Sequence, residues 1–430
     1  MIKRDFYLKR LIAKRGNGQI KIITGIRRCG KSTLLFEIFG KWLAEHGMSE
    51  SSIIKVNLDD VENTGLCDPL ALYEHIRDLT PDPKAQYVVM LDEVQYAISR
   101  AELRDKDRPP LLYRVLNSLI HKHNLDVYVT GSNSKFLSTD VMTEFRGRGD
   151  EIHIQPLAFS EYLPAHGGDR TEAWSDYLKY GGMPYALSCE SAEYRIEYLK
   201  RLNSEIYLKD ISERYGISNA AGMTEILKTV ASAIGSPTNP RRIASTFKSS
   251  GEKKLSEPSI ARYLSCLADA FMIEKAERYD VKGRKYLTSP CKYYFTDLGL
   301  RNALLNFRQT EAPHLMENAI YNELIYRRYS VDVGVVPVST GCADSEKRRQ
   351  IQLEIDFVAT KGDRRIYIQS AFAIPDEEKL AQEQASLLKT GDSFKKIIVV
   401  SAPSPVWTNS RGITIVNVMD FLTNPDPLDL

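Results

Sequence analysis

Short apolar runs separated by longer polar, helix-forming stretches mark the first 160 residues of the chain. Gln19–Thr24 (Gln-Ile-Lys-Ile-Ile-Thr) reads as a β-branched strand, and Ile53–Asp60 as a second. Tyr87–Leu91 (Tyr-Val-Val-Met-Leu) is continuously apolar, as suits a strand buried on both faces. Val127–Thr130 and Glu151–Ile154 complete the series. Alternation of strand and helix over residues 18–158 predicts an α/β fold with a parallel sheet covered on both faces. The pattern then changes. Residues 161–235 carry Tyr- and Leu-rich helical faces and few strand signals. In residues 238–298, Pro240–Phe247 and Glu257–Leu267 read as helices, the latter with Ser256 as a candidate N-cap. Met272–Ala276 and Lys292–Phe295 read as strands flanking the charged turn Lys282–Lys285. Helix, helix, hairpin is the winged-helix order. Two further strands, Ile355–Ala359 and Arg365–Ala371, lie in the last part.

The first strand runs directly into Gly25-Ile26-Arg27-Arg28-Cys29-Gly30-Lys31-Ser32, which fits the phosphate-loop pattern G-x-x-x-x-G-K-[ST]. A helix start, Ser32–Phe39, follows. Glycines allow the tight turn that points successive N–H groups at phosphate oxygens, and the helix N-terminus adds favourable partial charge. The nucleotide would be held by Gly25, Ile26, Arg27, Arg28, Cys29, Gly30, Lys31, Ser32 and Thr33. Lys31 would reach the β- and γ-phosphates, and the Ser32 hydroxyl would ligate Mg²⁺.

Candidate chemistry recurs at the ends of the later strands. Tyr87–Leu91 ends in Asp92-Glu93, where Asp92 would hold Mg²⁺ through water and Glu93 would polarise the attacking water. Val127–Thr130 leads into Gly131-Ser132-Asn133, and either Ser132 or Asn133 would sense the γ-phosphate. Asn57, at the end of the second strand, could hydrogen-bond Glu93. Arg146-Gly147-Arg148 precedes the fifth strand. An arginine there, Arg148 in preference to Arg146, could act as a finger on a neighbouring subunit's γ-phosphate, which implies a homo-oligomer.

Composition excludes more than it adds. A 430-residue chain with 43% hydrophobic and 27% charged residues is ordinary for a soluble globular protein of roughly three domains. Its net charge of +2 implies no partner. Six scattered cysteines without a C-x-x-C favour reduced thiols and a cytoplasmic location over a zinc site or a disulfide framework. No signal peptide or membrane span is expected.

Four motifs together resemble one known family: Thr24–Ser32, Leu91–Gln95, Thr130–Ser134, and Gly147-Arg148 with Pro156–Leu163. The family is that of prokaryotic AAA+-like P-loop ATPases carrying a C-terminal domain of unknown function. The resemblance continues in Tyr180–Pro184 and Leu208–Ile211, and resumes in Glu317-Asn318 and Glu354–Phe357. It implies an ATPase core, a winged-helix-like middle and a nuclease-like α/β end. The corresponding boundaries are 1–160, 161–305 and 306–430.

Residues 241–285 contain eleven Lys/Arg against six Asp/Glu, which favours a phosphate backbone as partner. Arg241, Arg242 and Arg262 are the candidate contacts to double-stranded DNA; the alternative is a protein partner. In the last part, Glu317, Asp356 and a following tripeptide imitate the core of a restriction-type nuclease. Such enzymes need clustered carboxylates for Mg²⁺ and a lysine beside the scissile phosphate. The tripeptide reads Gln369-Ser370-Ala371, so the fold is expected without the cleavage chemistry, unless a lysine such as Lys361 or Lys379 takes the missing role. The favoured function is an ATP-hydrolysing, Mg²⁺-dependent switch or motor acting on DNA or a protein. The alternatives are a nucleotide-gated scaffold with little turnover and, behind it, an ATP-dependent nuclease.

Overall fold

The computed structural model describes residues 1–99, 101–102, 108–131, 149–249, 255–309, 311–340 and 349–424. The chain divides into two compact units, Met1–Pro156 with Asp269–Phe271, and Leu157–Ala268 with Met272–Leu430.

The first unit contains α1 (Asp5–Lys14), β1 (Ile20–Thr24), a π-helical stretch Thr33–Phe39 that runs on into α2 (Gly40–Glu45), and β2 (Ile53–Asn57). It continues with α3 (Pro69–Leu79), β3 (Tyr87–Asp92), α4 (Leu111–Ile120), β4 (Leu125–Thr130) and β5 (Gly149–His153). The strands lie in the order β2-β3-β4-β1-β5, and every pairing is parallel. All residues of β1, β3 and β4 are buried, which is why their sequences are apolar runs rather than alternations. Edge strand β2 alternates in burial. Ile22, Val89, Leu91, Val127 and Val129 form the centre of the core, and Leu72, Ile76, Leu112 and Leu116 pack on it from α3 and α4. Because the strands run in one direction and in register, Ile23 opposite Thr130 and Asn57 opposite Asp92, their carboxyl ends share one edge. In open α/β sheets ligands bind at that edge.

The second unit begins with helices from Phe159 to Ser232, followed by α5 (Pro240–Ser249) and α6 (Glu257–Asp269). Ser256 Oγ accepts from Ser259 N at 3.3 Å, the cap expected from the sequence. The hairpin of β6 (Ile273–Asp280) and β7 (Lys285–Phe295) comes next, then α7 (Leu298–Leu304) and α8 (Ala312–Tyr326). The terminal elements are β8 (Ser330–Thr340), β9 (Arg349–Lys361), β10 (Arg364–Ala371), α9 (Glu377–Leu388), β11 (Lys395–Val400), β12 (Trp407–Thr408), β13 (Ile413–Asn417) and α10 (Val418–Thr423). The hairpin does not stand free. It belongs to an eight-stranded sheet ordered β12-β13-β11-β10-β9-β8-β6-β7, with β6 parallel to β8 from Arg278 opposite Val333 to Asp280 opposite Val335. Both hairpin strands are longer than their apolar cores predict, and the added polar residues of β6 make that pairing.

The Tyr180–Pro184 motif has a structural cause. Asp297 caps α7 by accepting from Leu300 N at 2.9 Å, and its second oxygen accepts from Gly182 N at 2.7 Å. Gly181 sits at φ 72°, and a Cβ there would lie 2.3 Å from the Asp297 carboxylate. Burial pushes the Asp297 carboxyl up to about 6, against the backbone N–H groups that favour its ionised form. It is therefore still a carboxylate at neutral pH. Asp297→Asn keeps the size but offers one acceptor oxygen, and its NH₂ faces the other N–H. The variant should lose about 1–3 kcal/mol of stability, the cost of an unsatisfied buried donor. Denaturant unfolding measures this, and an unchanged midpoint would show that the two N–H groups do not depend on Asp297.

Candidate nucleotide site

The phosphate-loop sequence connects β1 to the π-helical stretch, at the carboxyl edge of the first sheet. Gly25 is required by close approach: at φ 142° it lies so near β5's extension that a Cβ would stand 2.2 Å from Ile154 O. Lys31 is buried, and its ammonium donates to Gly25 O at 3.1 Å and Ile26 O at 3.3 Å. Cys29 is fully buried with Sγ 3.6 Å from Ile154 O, and burial pushes its thiol up. It fills space behind the loop rather than presenting a reactive thiolate. Arg4, just ahead of α1, spans from Gln155 O (2.6 Å) to Cys29 O (3.4 Å), while Tyr7 Oη accepts from Gln155 N at 2.9 Å. The N-terminal helix thus braces the loop from behind. No sequence pattern signals this contact, because Arg4 and Gln155 are 151 residues apart.

The acidic pair meets the loop at the same edge. Asp92, the last residue of β3, is 2% exposed, accepts a hydrogen bond from the Thr130 hydroxyl and lies beside the Ser32 hydroxyl. Burial pushes the Asp92 carboxyl up, and those two hydroxyls partly offset it. Thr130 also accepts from Glu93 N at 3.0 Å, so one side chain at the end of β4 fixes both members of the pair. Sequence reasoning looks two residues further on and misses Thr130; a hydroxyl closing an apolar strand beside Asp92 is the available signal. Glu93 is left-handed, φ 54° and ψ 48°, a backbone conformation that non-glycine residues adopt uncommonly. The carboxylate of Glu93 accepts from Gln95 Nε2. Asn57, expected in that role, instead accepts from Asp59 N at 3.0 Å and closes the turn after β2. Ser32 and Asp92 together offer two hard oxygen donors, a set that suits Mg²⁺, which is commonly held by one or two protein oxygens with phosphates and water completing its shell. Ser132, Asn133, Arg146 and Arg148 lie outside the described residues.

His153 stacks obliquely on Phe271, ring centroids 4.5 Å apart, and hydrogen-bonds Thr24 at 3.1 Å. Burial, then the charge of Lys31, pushes its imidazole down to about 4, so the ring is neutral at pH 7.

The other sequence candidates lie in the second unit. Arg241 and Arg242 are on α5 and Arg262 on α6, and all three are exposed. Arg242 and Arg262 donate to the carbonyls of Pro237 (2.8 Å) and Tyr215 (2.9 Å), whereas Arg241 lines a 660 Å³ groove with Glu257, Lys275 and Tyr293. Glu317 on α8 and Glu354 and Asp356 on β9 do converge, as the nuclease-like spacing suggests, but around a lysine. That lysine is Lys292 of β7. Lys361 and Lys379 do not take the missing role: Lys361 donates to Arg327 O, and Lys379 pairs with Glu383.

These features define a P-loop nucleotide-binding core. The family described as an AAA domain matches residues 17–163, and a domain of unknown function, DUF8612, matches residues 171–311. An uncharacterised protein of Haemophilus influenzae is 31% identical over 427 residues, 98% of each chain. An uncharacterised protein of Methanocaldococcus jannaschii is 25% identical over 341 residues, 76% of this chain and 70% of its own. Among solved structures, a Walker-type ATPase of Pyrococcus abyssi aligns with 71% of this chain and 96% of its own at 16% identity and a TM-score of 0.46. The ORC1 protein of Aeropyrum pernix, solved in complex with DNA, aligns at 15% identity and a TM-score of 0.30, over 71% of this chain and 92% of its own. The chain is a nucleotide-binding, AAA+-like protein. It belongs to the family of the Haemophilus influenzae protein, with which it aligns from end to end. Among the described residues no helix is long and apolar enough to cross a membrane.

Proposed function

We propose that the chain hydrolyses ATP with Mg²⁺ and uses the cycle as a switch or motor on duplex DNA or a protein partner. The observation that supports turnover is the hydrogen-bonded chain Asp92–Thr130–Glu93 N at one sheet edge, with the Ser32 hydroxyl beside Asp92. Gly25 to Thr33 would wrap the phosphates with backbone N–H groups, and Lys31 would leave the carbonyls of its own loop for the β- and γ-phosphate oxygens. Ser32 and Asp92 would hold Mg²⁺, which supplies charge stabilisation to the transferring phosphoryl group. Glu93, anchored through its backbone to Thr130, would orient and deprotonate the attacking water. A Glu93 carboxylate held by Gln95 must be freed or shared for that step, so Gln95 is a positioning residue in this account. Arg148 as a finger from a neighbouring subunit, and Ser132 or Asn133 as the γ-phosphate sensor, complete the proposal from the sequence. The scaffold reading differs in needing no role for Glu93.

ATP turnover measured with and without duplex DNA, on material of known assembly state, tests this function. Stimulation by DNA supports the motor or switch; turnover that ignores DNA moves the partner to protein; no turnover at saturating MgATP supports the scaffold reading. For the DNA arm, affinity should fall steeply with salt, because arginine contacts release counterions. Replacing Arg241, Arg242 and Arg262 by Ala should weaken binding and flatten the log–log salt slope by about 0.9 for each phosphate no longer neutralised. A filter-binding or anisotropy titration that shows no binding even at low salt would remove DNA from the account.

A further inference from the structure

Three carboxylates in the second unit surround one ammonium group. Lys292 Nζ lies 3.0 Å from Glu317 Oε1, 2.9 Å from Glu354 Oε1 and 3.4 Å from Asp356 Oδ1. An ammonium has three N–H donors and no acceptor, so each donor has its own carboxylate. Three elements contribute. Glu317 comes from α8, Glu354 and Asp356 from β9, and Lys292 from the inner half of β7. Neighbouring groups fix the acids. Tyr294 Oη donates to Glu317 at 2.7 Å, and Ser370 N of β10 donates to the second oxygen of Asp356 at 2.9 Å. Gln369 Oε1, on β10, is buried without a hydrogen-bond partner among the described residues.

The sequence of β7 explains how a lysine reaches this place. Its outer half is exposed or half-buried, whereas Cys291–Phe295 are all buried. Cys291, Tyr293, Tyr294 and Phe295 carry the strand into the core, and Lys292 goes with them at 2% exposure. An unpaired ammonium buried to that degree would lose its proton. Burial acts in that direction here, but Glu317, Asp356 and Glu354 outweigh it and hold Lys292 above its ordinary value. The lysine is therefore a fixed cation, ion-paired with all three carboxylates.

We propose that Lys292 is a built-in counter-ion that occupies a divalent-cation position, so that the carboxylate cluster of the second unit takes a metal only when this lysine is removed. A hard cation such as Mg²⁺ binds through carboxylate oxygens at about 2.1 Å, and Mn²⁺ favours the same oxygen donors. Beside the ammonium such an ion would meet oxygens already engaged and a like charge within a few ångströms. The same geometry makes the cluster a clip: Lys292 ties the β6–β7 hairpin to α8 and β9 by charge as well as by the ladder. This proposal is independent of the nucleotide site, whose residues lie in the other unit.

The experiment uses the full chain without nucleotide and Mn²⁺ as the probe. Mn²⁺ uptake is measured by calorimetry, and thermal melting is followed with and without the ion. The proteins are wild type, Lys292→Ala, Lys292→Gln, Asp356→Asn and the double variant Lys292→Ala/Asp356→Asn. Lys292→Ala should bind one Mn²⁺ more than wild type and melt higher when Mn²⁺ is present, while wild-type melting stays put. The extra uptake should vanish in the double variant, which separates it from any weak binding at Asp92. Lys292→Gln, which keeps length and a neutral donor, should show the same gain in weaker form. If the lysine variants fold only with Mn²⁺, the ion has replaced the ammonium and the proposal stands. Wild-type uptake that disappears in Asp356→Asn would overturn it, because the cluster would then hold metal beside Lys292. So would folded lysine variants that bind no extra Mn²⁺, or variants that stay unfolded with the ion present.

Discussion

Lys31→Ala should weaken ATP binding by about 2–5 kcal/mol, the usual cost of truncating one partner of a buried, hydrogen-bonded charge pair. That corresponds to roughly 30- to 4,000-fold in Kd. The expectation follows from the loop's geometry. Lys31 is buried, and among the described residues its ammonium donates to carbonyls of its own loop, Gly25 and Ile26, so no ion pair there has to break when phosphates arrive. Alanine removes the cation and leaves the backbone N–H cradle, so some residual binding is expected. Calorimetric titration with MgATP reads the effect directly. Binding unchanged from wild type would mean that phosphates do not sit on this loop.

Glu93→Gln should leave ATP binding nearly intact and lower turnover by about 10²–10⁴-fold, the usual contribution of a general base. The amide matches the carboxylate in shape, and the anchor of Glu93 N to Thr130 is a backbone contact that the substitution does not touch. Gln95 Nε2 would lose a charged acceptor but keep a neutral one. Lys31→Ala should therefore appear in the binding step and Glu93→Gln in the chemical step, and the pair distinguishes a loop that binds from a site that hydrolyses.

The parts of this site that are legible in the sequence are those encoded by contiguous residues. Buried parallel strands must be apolar on both faces, so β1, β3 and β4 appear as unbroken runs, and the polar residues that end them stand out. The phosphate loop is legible for the same reason: its turn needs Gly25 and Gly30 at positive φ, with Lys31 and Ser32 immediately following. What the sequence hides are contacts between distant positions. Thr130 reaches Asp92 across two neighbouring strands, and a Thr at a strand end is too common to single out. Arg4 meets Gln155 and Cys29 only once α1 has folded back on the loop. Strand order puts Asn57 in register with Asp92, beside Glu93, yet its short side chain serves the local turn instead.

The second unit shows the same division more sharply. The carboxylates at Glu317, Glu354 and Asp356 are readable as a set, because strand and helix order puts them at one place. The cation among them is not, because Lys292 precedes Asp356 by 64 residues and sits on a hairpin strand. That hairpin reads from its sequence as a free wing. Its polar outer half suggests solvent, and nothing local reveals that β6 pairs with β8.

The measurement that tests the central claim most directly is phosphate release under saturating MgATP, made on wild type and Glu93→Gln preparations whose ATP affinities have been measured first. The account predicts equal binding, steady phosphate release by wild type that stops when Mg²⁺ is chelated, and release by Glu93→Gln at least about 100-fold slower. Equal release rates from the two proteins, or a wild type that binds ATP fully and releases no phosphate, would contradict it.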